Sequence, residues 1–308
     1  MHSDDTPENG PDRPDDDSER EPATGRSNEA LVSPEWVADR LDRFRNDDAA
    51  FRLVEVDVNR EFYRDGHAPG ACEFDWETDL QSETWRDIPS PDEFERLMGD
   101  HGIADDTTVV VYGDNSNWFA THLYWQFVMY GHDDVRVMDG GREYWMEQGF
   151  PTTRAVPSFP TVEYTVPEVD ESHRAFRRDV YEALDSETTL IDVRMPEEYR
   201  GELTAPPGMD EAAQRAGHIP GAINVLWADN VDSNGLFKPP HRLRELYASH
   251  GVTPDDDVIA YCRIGERSSI TWFALHELLG YDSVRNYDGS WTEWGNLIRA
   301  PIVAGNDE

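Results

Sequence analysis

The chain has 308 residues, 38% of them apolar, and a formal net charge of −37 from 64 acidic and 27 basic residues. Ten Trp, twelve Tyr and twelve Phe exclude disorder for the body of the chain, and no apolar run approaches the roughly 20 residues of a membrane span. The charge excludes nucleic acid as a partner, because there is no basic stripe to neutralise phosphates.

Lys238 is the single lysine. Surface lysine replaced by Asp and Glu lowers exposed apolar area and raises bound hydration, the composition expected of a protein from an extreme halophile. At about 1 M salt the Debye length is near 3 Å, so self-repulsion of this size is screened. The two cysteines, Cys72 and Cys262, cannot form a disulfide framework. No Cys/His spacing suggests a metal. The N-terminus lacks a basic region followed by an apolar stretch, so no secretory signal is expected and the location is read as cytoplasmic.

Residues 1–29 are rich in Asp, Glu, Pro, Ser and Gly and read as a disordered acidic tail. SPEWVADRLDRF, from Ser33, reads as a capped amphipathic helix. The rest is a duplicated unit. GHAPGA at Gly66–Ala71 recurs as GHIPGA at Gly217–Ala222. The segments starting at Val109 and Val135 recur at Val258 and Val284, both at an offset of 149 residues. Each copy runs from an apolar strand ending in an acidic residue (LVEV, LIDV) through the GHxPGA turn and a helical stretch to a second apolar strand (TVVVY, DVIAY). A loop, a helix and a short strand (VRVM, VRNY) follow, then a Gly turn. Alternating strands and helices with short connections predict an α/β fold: two tandem domains over 30–150 and 173–305, each a parallel sheet flanked by helices with its own core. Residues 151–172, with several prolines, read as an extended linker.

In the second copy the spacing predicts a buried strand over Asp257–Tyr261 and a helix over Ser269–Leu279. Between them lie Cys262, Arg263, Ile264, Gly265, Glu266, Arg267 and Ser268. A loop at a strand's C-terminal end and a helix's N-terminus turns backbone N–H groups toward an anion. A cysteine there is expected to have its thiol pKa lowered from about 8.5 toward neutrality. Arg263 and Arg267 suit an anionic substrate, and in this register Gly113 stands opposite Cys262, Asp114 opposite Arg263 and Trp118 opposite Arg267. The competing reading, Cys262 as a small buried residue ending a strand, explains neither the arginines nor the helix start.

The repeat, the GHIPGA turn, the YCRIGERSS loop and the YDGSWTEW segment resemble the tandem-domain rhodanese (thiosulfate sulfurtransferase) family over residues 31–305. The resemblance implies two rhodanese-like domains, the first a silent lid and the second catalytic, with Cys262 as nucleophile and no cofactor or metal. It implies a double displacement in which a small anionic sulfur donor leaves a persulfide on Cys262 and a thiophilic acceptor removes the sulfur. It also implies substrate contacts by Arg263, Arg267, Arg194 and Arg200; the alternatives weighed are an ion pair with a carboxylate for Arg194 and a solvated surface position for Arg200. Asp192 is read as a brace for the loop or for Arg194, His67 and His218 as turn residues, Trp118 and Phe119 as core or as cleft walls, and Cys72 as a buried strand position. The YDGSW segment is read as structural, with Gly289 supporting a tight turn.

Three alternatives stand beside this reading. A 3-mercaptopyruvate sulfurtransferase shares the fold, but that branch carries small residues after the cysteine where this chain has Arg263. A cysteine phosphatase needs Cys-x5-Arg, and position 268 is Ser268. A sulfur-relay module would deliver sulfur to a sulfur-acceptor protein.

Overall fold

The computed structural model describes residues 30–82, 84, 86–206 and 213–305; the expected acidic tail lies outside them. The first lobe contains β1 (Leu31–Val32), α1 (Pro34–Ala38), α2 (Leu41–Arg45), β2 (Phe51–Glu55), α3 (Glu61–Asp65), β3 (Ala71–Glu73), α4 (Pro91–Asp100), β4 (Thr108–Tyr112), α5 (Asp114–Met129), β5 (Val135–Met138) and α6 (Gly141–Glu147). The second contains α7 (Arg177–Ala183), β6 (Thr189–Asp192), α8 (Pro196–Tyr199), β7 (Ile223–Asn224), α9 (Pro240–Ser249), β8 (Val258–Tyr261), α10 (Glu266–Phe273), β9 (Val284–Tyr287) and α11 (Ser290–Trp294). The sheets run β1-β5-β4-β2-β3 and β7-β6-β8-β9 with every pair parallel. Covered on both faces, β4 and β8 are buried at every position, which explains their unbroken apolar runs. Both end on a tyrosine whose hydroxyl accepts from the GHxPGA turn, Tyr112 from Ala68 N and Tyr261 from Ile219 N.

The structure adds detail to three local expectations. The single N-terminal helix is split into α1 and α2. Ser33 caps α1 as expected, its side chain accepting from Trp36 N, but Arg40 leaves the helical region at φ −113°, ψ 6°. Its guanidinium folds back over the Trp36 ring at 3.9 Å and donates to Trp36 O. The linker, without helix or strand over 154–170, is anchored on the first lobe. Val162 N donates to Gly99 O, Phe159 stacks under Arg52 at 4.2 Å, and Tyr164 meets the Phe94 ring at 5.8 Å. Finally, each lobe keeps a core of its own, around Phe44, Leu53, Tyr112 and Trp145 in the first and Val180, Ile259, Tyr261 and Trp291 in the second, and a further core is shared between them. One apolar cluster contains Val54, Val111, Trp118 and Tyr124 together with Ile191, Val258, Cys262 and Phe273. Helices α5 and α10 form the join, with Tyr124 edge-on to Phe273 at 4.9 Å and Trp118 edge-on to Trp227 at 5.0 Å.

Candidate active site

Cys262 follows directly on β8, and its N–H donates to Ser290 Oγ at 3.0 Å, which ties the loop to α11. The loop is shorter than the sequence suggests: α10 begins at Glu266 rather than Ser269, so Glu266, Arg267 and Ser268 belong to its first turn. Gly265, at φ +102°, is the N-cap that permits this early start. The Gly265 N–H donates to Cys262 Sγ at 3.2 Å. The Cys262 thiol in turn lies 3.2 Å from Glu266 Oε2, which also accepts from Ile264 N. The amide cradle is there, and the group filling it is the loop's own carboxylate.

That carboxylate reverses one expectation. Burial and the Glu266 charge push the Cys262 thiol above its ordinary value, with Arg267 and hydrogen bonding to Ser268 pulling the other way. Glu266, although buried, is held below the usual carboxylate range by Arg267 and Arg263. The resting pair is therefore a thiol donating to a carboxylate, not a free thiolate.

The arginines expected to hold substrate are mostly committed elsewhere. Arg267 is 1% exposed and makes a bidentate ion pair with Glu198 of α8, at 2.8 and 3.1 Å, which locks α10 to α8. Arg194 is fully buried and grips Asp192, with 2.6 Å between Nη2 and Oδ2. Its Nη2 also donates to Gly217 O at 2.7 Å. The first lobe explains why. There Arg142 of α6 pairs with Glu55, the counterpart of Asp192, and donates to Gly66 O, the counterpart of Gly217. In the second lobe the Arg142 position is Trp291, and the neutralising guanidinium comes instead from Arg194, which lies 4.4 Å over the Trp291 ring. Arg194 is thus a counter-ion under the sheet. Arg200 sits at the surface, paired with Glu202 at 2.7 Å and Glu197 at 3.4 Å. Arg263 remains with the loop, 7% exposed, its carbonyl accepting from Thr292 N and Oγ1.

A cleft of about 760 Å³ opens between the lobes beside this loop. Ile264 is the loop residue that lines it, facing Phe119 and His122 of α5, Tyr287, and Trp76 stacked on Phe119 at 4.5 Å. Cys262 is itself fully buried. Arg174, bonded to both Asp87 and Asp288, bridges the two lobes at the cleft. The YDGSW segment borders the cleft through Tyr287, Asp288 and Gly289. Gly289 is not a positive-φ turn residue: its φ is −54°, and the left-handed position is Ser290 at +50°. A Cβ at 289 would lie 2.4 Å from Glu293 Oε2 and 2.8 Å from the Tyr287 ring, so any larger residue would displace those side chains. His67 and His218 are turn residues as expected, each bonding a tyrosine carbonyl through Nδ1 and stacked on that same tyrosine. Cys72 is buried in β3, and burial pushes its thiol up to about 12. Glu198, Ser290 and His122 were missed from sequence. Only the duplication could have pointed to His122, since it lies in the segment matched to the loop and its helix.

In the first lobe the equivalent loop is built to exclude a side chain. A Cβ on Gly113 would lie 2.0 Å from Val56 O. Beyond it Asn115, Ser116 and Asn117 take left-handed dihedrals, and Asn117 Oδ1 accepts from Gly113 N.

Comparison with known proteins agrees with this architecture. The rhodanese-like domain model matches residues 33–148 and 177–297. The chain belongs to the rhodanese-like family, with two such domains in tandem. A Haloferax volcanii protein named "Putative thiosulfate sulfurtransferase" is 57% identical over 278 residues, covering 90% of this chain and 97% of its own. The sulfur carrier protein TtuD of Thermus thermophilus is 50% identical over 284 residues, covering 91% and 98%. Among solved structures, EanB in a persulfide state with ergothioneine superposes with a TM-score of 0.79 at 27% identity, covering 91% of this chain and 71% of that one. No helix of the described residues is long and apolar enough to cross a membrane.

Proposed function

We propose that this protein is a sulfurtransferase that carries sulfur as a persulfide on Cys262, with thiosulfate as donor. The observation that carries the reading is the cradle at the end of β8, where a buried cysteine receives the Gly265 N–H beneath an interdomain cleft. The Cys262 thiolate attacks the sulfane sulfur of thiosulfate, the S–S bond to the sulfonate breaks, and sulfite departs with the electron pair. A thiophilic acceptor, cyanide or a thiol, then attacks the outer sulfur and returns Cys262 as thiolate. Loop N–H groups stabilise the charge on sulfur at both stages. Arg263 supplies positive charge at the loop, and Ile264, Gly265 and Ser268 shape it. Arg194, Arg267 and Arg200 take no part in binding the donor in this account. The reaction uses no cofactor, and the reduced thiol it needs fits a cytoplasmic setting.

The name of the Thermus relative, a sulfur carrier protein, favours a second reading in which the acceptor is another protein. The experiment is steady-state turnover with thiosulfate and with 3-mercaptopyruvate, cyanide being the acceptor. Faster turnover with thiosulfate, abolished in Cys262→Ser, is the expected result. Preference for mercaptopyruvate would overturn the donor, and undiminished turnover in Cys262→Ser would overturn the nucleophile.

A further inference from the structure

The loop contains a second ionisable group in contact with the reacting sulfur. Glu266 is 2% exposed, and its Oε2 lies 3.2 Å from Cys262 Sγ. Ile264 N donates to Oε2, and Arg267 Nε lies 3.5 Å from Oε1, an ion pair without a hydrogen bond. Arg267 is in turn fixed by Glu198. A buried carboxylate aimed at a buried thiol is costly to keep there, because burial disfavours its charge and that charge disfavours ionisation of the thiol. An anionic donor should be repelled by it as well.

We infer that Glu266 is a catalytic residue that takes the Cys262 thiol proton and holds it through the reaction. This rests on the persulfide reading above. Moving the proton from Sγ to Oε2 creates no new buried charge. One negative charge already lies in the cradle, and the transfer relocates it by about the length of a hydrogen bond, from carboxylate to sulfur. The Gly265 N–H that already donates to Sγ receives the charge there.

The step balances. The S–H bond breaks and an O–H bond forms on Glu266, leaving a Cys262 thiolate. The thiolate then displaces sulfite from thiosulfate, giving a persulfide anion and sulfite dianion, with the proton still on Glu266. Attack of cyanide on the outer sulfur releases thiocyanate and a Cys262 thiolate, which recovers the proton from Glu266. A neutral Glu266 throughout the persulfide stage also removes the like charge from beside the persulfide.

The charged and titratable groups facing Glu266 are Cys262 and Arg263 on the loop, Arg267 on α10 and His122 on α5, with Glu198 on α8 reaching it through Arg267. The test is the rate at which thiosulfate adds sulfur to Cys262 in a single turnover, followed by intact mass from pH 5 to 9. Wild-type protein should show a rate flat near neutrality with an acid limb set by the Glu266–Cys262 pair. Glu266→Gln should lose at least about 10²-fold at pH 7, within the range general bases supply. Its rate should then climb tenfold per pH unit toward the alkaline pKa of an unassisted buried thiol. Glu266→Asp keeps a carboxylate and should keep the acid limb at reduced rate, which decides the matter if the glutamine variant fails to fold. A Glu266→Gln protein as fast as wild type or faster at pH 7 would overturn the assignment, since a merely repulsive charge gives that result. So would loss of the acid limb in a folded Glu266→Asp. If wild-type protein gains no sulfur at any pH, the persulfide reading fails instead.

Discussion

At the scale of single residues the site is organised by commitments that a sequence does not print. Cys262 is legible because a motif, a helix start and a silent counterpart all mark it. The arginines are not, because whether a guanidinium faces a cleft or a carboxylate depends on partners far along the chain. Glu198, which claims Arg267, lies 69 residues away. Arg194 reads equally as a substrate ligand or a carboxylate's partner until its place is compared with Arg142 of α6, which binds the equivalent carbonyl and the equivalent strand-end carboxylate in the first lobe. The Glu198–Arg267 pair carries a prediction. Removing Glu198 takes away the bidentate partner of a guanidinium that is 1% exposed and leaves it only the 3.5 Å approach to Glu266, so Glu198→Ala should destabilise the protein by about 3 kcal/mol. The urea midpoint at fixed salt measures this; a change below about 1 kcal/mol, the size of an exposed pair, would contradict it.

At the scale of elements, both copies of the strand–loop–helix unit were readable from periodicity and register, and so was the chain order of the three strands named in each copy; the two-residue strands β1 and β7 were too short to show a pattern. The boundary at Glu266 was not, because Gly265 acts as cap in a loop whose charged residues look solvated. Nor was the join between lobes, since the apolar residues of α5 and α10 read equally well as two separate cores. His122 of α5 sits in that join, bonded through Nδ1 to Ser269 Oγ of α10. Burial pushes its imidazole from 6.5 down to about 4, with Asp288 and Glu266 opposing and Arg174 assisting. A depressed folded pKa contributes stability that is complete above the ordinary imidazole value and is lost as pH falls from 6.5 through about 4. The shift bounds that contribution at about 3 kcal/mol. Urea midpoints at pH 7.5 and 4.5 should therefore fall further in wild type than in His122→Gln. Equal falls would show that the histidine does not hold the lobes together through its neutral form.

At the scale of the whole molecule, the net charge of −37 sets the conditions under which everything else operates. Most of the described cations sit in ion pairs or against aromatic rings, so the excess negative charge is left to self-repulsion. Raising KCl from about 0.1 M to about 1 M shortens the Debye length from about 10 Å to about 3 Å. The urea midpoint should rise across that range and turnover should rise with it. A midpoint independent of salt would remove the halophilic reading of the composition. The duplication also works at this scale: one copy closes its loop over Gly113 and supplies α5 as a wall, while the other keeps the cradle. Whether sulfur resides on Cys262 is tested most directly by intact mass spectrometry with thiosulfate. Wild-type protein should gain about 32 Da, one sulfur as a persulfide, located on the Cys262 peptide, lose it on adding cyanide, and gain nothing as Cys262→Ser. Sulfur gained equally by the serine variant, or thiosulfate consumed with Cys262 never modified, would contradict it.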